Sequence, residues 1–127
     1  MLKSLSSVQP GFDWEQLNQL AGEDRGFAIE LLAMFLKDTE RHLAALDRAV
    51  ANHSLQEVED VAHTLKGASA NVGAITMSEL ATQMEKAACA EDISKVSCLR
   101  RLFAFQYELL HSELASSPQS KVYIAGA

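Results

Sequence analysis

No proline occurs between Pro10 and Pro118, so nothing in that span forces a helix to stop. The chain has only two cysteines, Cys89 and Cys98, which excludes a disulfide framework and fits reduced thiols in the cytoplasm. No apolar run approaches the length of a membrane span. The start, MLKSLSSVQPGF, lacks the apolar segment of a secretory signal. Basic charge is scarce: 11 Lys and Arg stand against 17 Asp and Glu, for a net charge of −6. A nucleic-acid partner needs a basic face, so that class is set aside. No glycine-rich phosphate loop is present, which argues against nucleotide chemistry.

What remains is one domain's length, 127 residues, rich in helix formers. Residues 1–11 read as a leader ending in Pro10-Gly11, residues 12–117 as the domain, and residues 118–127 as a flexible tail. Asp13 with Gln16 opens a short helix, stapled by Phe12 and Leu17, that ends near Ala21-Gly22. A long helix runs from about Asp24 to Asn52, with a stripe of Leu31, Phe35, Thr39, Leu43, Leu46 and Val50. A third opens with Ser54 and Glu57 and closes at Gly73, a residue suited to the left-handed turn past a helix end. A fourth opens with Thr76 and Glu79, stapled by Ile75 and Leu80. The fifth begins near Asp92, carries Val96, Leu99, Phe103 and Leu110, widened by Leu102, Leu109 and Leu114, and finishes by Ser116-Ser117-Pro118. Short connections between long amphipathic helices predict an all-α fold. The expected form is an antiparallel up-down four-helix bundle with a short additional N-terminal helix.

The third helix carries the chemistry. In projection His63 points roughly 150° from the centre of the apolar stripe, and so faces outward. Lys66 lies three residues on and Gly67 four. A glycine inside a helix costs about 1 kcal/mol relative to alanine, so its presence invites a reason. Here it leaves the far side of the imidazole open. A neutral imidazole, with an ordinary pKa of about 6.5, has one unshared pair and can attack phosphorus. Lys66 can offset phosphoryl charge. His42, His53 and His111 read as ordinary surface histidines, and Glu57, Glu59 and Asp60 as a solvated face. Met77 and Met84 read as core filler.

The run Ala62-His63-Thr64-Leu65-Lys66-Gly67-Ala68-Ser69-Ala70-Asn71-Val72-Gly73 resembles the signature of histidine phosphotransfer (HPt) domains. The similarity continues into Leu80 and Met84-Glu85, and the helix pattern fits from about residue 13 to 115. The resemblance implies a monomeric, cytoplasmic phosphorelay protein. His63 is then the phospho-acceptor, Lys66 stabilises phosphoryl charge, Gly67 gives steric clearance, and Glu85 orients the imidazole. The implied partners are receiver domains of a hybrid histidine kinase or response regulator. They bring the phosphoaspartate and the Mg²⁺, so the module needs no cofactor of its own and does not phosphorylate itself from ATP.

Three rivals compete with this reading. A helical adaptor could bind a receiver without accepting phosphate. A kinase dimerisation-phosphoacceptor segment is disfavoured because Thr64, not an acidic residue, follows His63, and no proline stands a few residues on. A metal-binding bundle needs paired Glu-x-x-His motifs on inward faces, which are missing.

Overall fold

The computed structural model describes residues 11–116, and the whole of that span is helices and tight connections. Most of the leader and the C-terminal tail lie outside the described residues. Five helices follow in order: α1 (Trp14–Leu20), α2 (Arg25–Ala51), α3 (Leu55–Val72), α4 (Ile75–Cys89) and α5 (Ile93–Ser116). Each long helix packs on the next and α5 closes back on α2, while α1 lies against α2 and α3. This is the expected four-helix bundle with its short extra helix.

Local chemistry sets most boundaries. The side chains of Asp13, Asp24, Ser54 and Asp92 accept the free N–H groups of Gln16, Phe27, Glu57 and Lys95 at the starts of α1, α2, α3 and α5. Gly73 ends α3 with φ 86°, and the Asp13 carbonyl oxygen would lie 2.4 Å from any Cβ placed there. Only glycine meets both demands.

The start of α4 differs from expectation. Its N-cap is Ala74, which makes no side-chain capping bond, and Thr76 lies inside the helix. Main chain supplies the missing acceptor. The Gly11 carbonyl accepts from the Thr76 N–H at 3.1 Å, and Phe12 forms a short antiparallel bridge with Ala74. The Thr76 hydroxyl would stand 1.7 Å from a Cβ on residue 11, which explains the glycine. Ile75, expected to staple α4, is exposed.

The core joins Leu17, Ile29, Leu32, Leu36, Leu46, Val58, Leu65, Met84, Val96, Phe103 and Leu114, all essentially inaccessible to water. On α2 Phe35, Thr39, Leu43 and Leu46 are buried as expected, Ile29, Leu32 and Leu36 widen that stripe, and Leu31 and Val50 are only partly covered. Helix α2 serves both α3 and α5, which makes its buried face wider than a single stripe. On α5 Leu102 is exposed, while Tyr107 is buried and donates its hydroxyl to Glu40 at 3.1 Å. Burial first, and that bond second, push the Tyr107 pKa up to about 12.

Candidate functional site

Helix α3 projects His63 from its outer face, where 66% of the side chain is exposed. Behind it Val58, Ala62, Leu65 and Ser69 pack into the core, so the ring stands on a rigid base. Helix α4 brings Glu85 alongside. One carboxylate oxygen of Glu85 lies 3.0 Å from His63 Nδ1, and the other accepts from Lys66 Nζ at 3.0 Å. The three residues therefore form one connected unit. A single carboxylate thus bridges the imidazole and the ammonium.

The electrostatics fix the state of that carboxylate. The Lys66 hydrogen bond is the largest influence and holds Glu85 below the usual carboxylate range. Partial burial works against it, and the His63 bond assists it. An ionised carboxylate only accepts hydrogen bonds, so the neutral ring places its one hydrogen on Nδ1. Nε2 then keeps the unshared pair, on the side of the ring away from Glu85.

Gly67 follows one turn beyond His63 in ordinary helical backbone. A Cβ built on it meets nothing within 4 Å. Packing gives no reason for the glycine, and the space beside the imidazole is open. On the far side of α3 from Glu85, a groove of about 270 Å³ runs between α2 and α3. Phe35, Leu65 and Ala68 form part of its lining, with Asp38, His42 and Asn71 among its polar groups.

Glu59 and Ser78 take places that the sequence did not suggest. Glu59 is not simply solvated: it accepts from the Cys89 thiol at 3.1 Å, a bond that raises the thiol pKa and keeps it protonated. Ser78 on α4 donates to the main-chain carbonyl of Lys66 at 3.1 Å. His53 sits in the turn after α2 with φ 54°, and His111 packs its ring against Tyr107 at 5.6 Å. Both cysteines are free and exposed. Among the described residues, no three His, Cys, Asp or Glu side chains are grouped to hold a metal ion, and no helix is long and apolar enough to cross a membrane.

Comparison with known proteins adds family and fold. A family model described as the Hpt domain matches residues 30–117. Among solved structures, the chain is similar to histidine-containing phosphotransfer protein B (HptB) from Pseudomonas aeruginosa PAO1. That likeness has a TM-score of 0.76 at 23% identity, and covers 83% of this chain and 91% of that one. At such identity it bears on the fold alone. No curated protein matches the chain.

Proposed function

This chain belongs to the Hpt domain family, the histidine phosphotransfer modules of two-component signalling, and from that premise we propose that His63 relays a phosphoryl group between receiver-domain aspartates. One observation carries the reading: an exposed imidazole is fixed through Nδ1 by a charged Glu85, with open space beside it at Gly67.

The chemistry follows from that arrangement. The Nε2 unshared pair attacks the phosphorus of an aspartyl phosphate. A P–N bond forms as the P–O bond to the aspartate breaks, and the electron pair leaves with the carboxylate. The ring becomes cationic and retains its Nδ1 hydrogen, so no proton has to move. The negative Glu85 carboxylate, 3.0 Å away, faces the charge that develops. The transition state is loose, so position and charge supply most of the catalysis. Lys66 offers the nearest cation for the phosphoryl oxygens, and Gly67 lets the receiver approach.

The receiver supplies the phosphoaspartate and the Mg²⁺, and the module acts as a monomer without using ATP. The free thiols of Cys89 and Cys98 fit work in the cytoplasm. The test is incubation with phosphorylated receiver domains. Wild-type protein gains an acid-labile, base-stable phosphate. His63→Gln gains none and keeps its circular dichroism, because the ring lies outside the core. A variant that still takes phosphate refutes the assignment.

A further inference from the structure

Helical hydroxyls usually turn back onto their own helix. Thr39, Thr64, Thr82 and Ser116 all do so, each donating to the carbonyl four residues earlier. Ser78 does not. Its half-buried hydroxyl crosses from α4 to α3 and donates to the Lys66 carbonyl at 3.1 Å. Two turns further along α4, Glu85 holds the ammonium of the same lysine at 3.0 Å. Helix α4 thus grips Lys66 at both ends, backbone and head.

The placement of this brace has a consequence. The carbonyl it holds belongs to the residue immediately before Gly67, and a mid-helix glycine is where backbone is least restrained. No side chain at position 67 packs the outer face of that turn. A cross-helix donor there keeps the turn in register with Glu85, and so keeps the ammonium in one place.

We propose that Ser78 is a positioning residue for phosphotransfer, acting through Lys66. The inference rests on the phosphotransfer reading of His63 given above. The cross-helix bond of Ser78 goes to the carbonyl of the lysine itself, so its effect passes through the lysine.

That dependence sets the experiment. Transfer from phosphorylated full-length protein to a receiver is timed for wild type, Ser78→Ala, Ser78→Thr, Lys66→Ala and the Ser78→Ala/Lys66→Ala double variant. Thermal melting accompanies each. Loss of one hydrogen bond predicts transfer slowed roughly two- to tenfold in Ser78→Ala, with rescue by Ser78→Thr. In the Lys66→Ala background the serine change has no further effect, since the group it positions is gone. If Ser78→Ala is too unstable to assay, Ser78→Cys, close in size with a weak donor, shows the same slowing. A wild-type rate in Ser78→Ala overturns the proposal, as does an equal slowing with and without Lys66. Wild-type protein that accepts no phosphate overturns the phosphotransfer reading itself. Normal wild-type labelling with an indifferent Ser78→Ala overturns this inference alone.

Discussion

Replacing Gly67 separates stability from function in opposite directions. Its backbone is ordinary helix, and an added Cβ meets no atom within 4 Å. Alanine therefore enters without strain and restricts the unfolded chain. Helix propensity puts the gain at about 1 kcal/mol. Unfolding entropy of about 2.1 cal/mol/K per residue, over a chain of this length, converts that gain to a rise in Tm of about 4 °C. Gln is also a better helix former than Gly, so Gly67→Gln should melt no lower than wild type. Its side chain fills the space beside His63, and receiver affinity should fall by about tenfold or more, equivalent to about 1.4 kcal/mol. Calorimetry and a binding titration on the same samples give both numbers. A Gly67→Ala protein that melts several degrees lower shows that the position is not open. A Gly67→Gln protein with normal affinity shows that clearance is not the reason for the glycine.

Two further outcomes follow from the geometry. Lys66→Ala should slow transfer by about tenfold while leaving the fold intact, and it should return the Glu85 pKa toward the usual carboxylate range, which carboxylate NMR titration reads; an unmoved Glu85 would show that the ion pair does not set its charge. Folded Tyr107 keeps its proton up to about pH 12 while the unfolded chain loses it near pH 10, so stability should fall across that window by about 1.4 kcal/mol per pH unit at most. Denaturant titrations of wild type and Tyr107→Phe check this, and the same alkaline slope in both would contradict it.

Much of this was legible because much of it is local. Asp13, Asp24, Ser54 and Asp92 cap helices through bonds to residues three positions on, and Gly73 ends α3 through its own backbone angle. The outward aim of His63 follows from helix phase alone, and Lys66 and Gly67 share its turn. The start of α4 was not legible, because its acceptor is the carbonyl of Gly11, far away in the chain. The width of the buried face of α2, with Ile29, Leu32 and Leu36 added to the expected stripe, depends on which two helices flank it. Exposure of Leu102 and Phe105 depends on how α5 is turned against α2 and α4. Pairing Glu85 with His63 needed the register between α3 and α4, which no spacing within one helix supplies. The resemblance pointed to Glu85, and its two hydrogen bonds, one with His63 and one with Lys66, emerged only in three dimensions. Nothing in the sequence marked Ser78, or Glu59 with Cys89, since polar residues on an amphipathic helix look alike until a neighbouring helix faces them.

The account stands or falls on which nitrogen bears the phosphate. NMR of the protein labelled by a phosphorylated receiver reads both the residue and the ring position. A single phosphohistidine at His63, on Nε2 with Nδ1 still hydrogen-bonded to Glu85, is the predicted result. Phosphate on Nδ1, on another residue, or nowhere in the protein would contradict it.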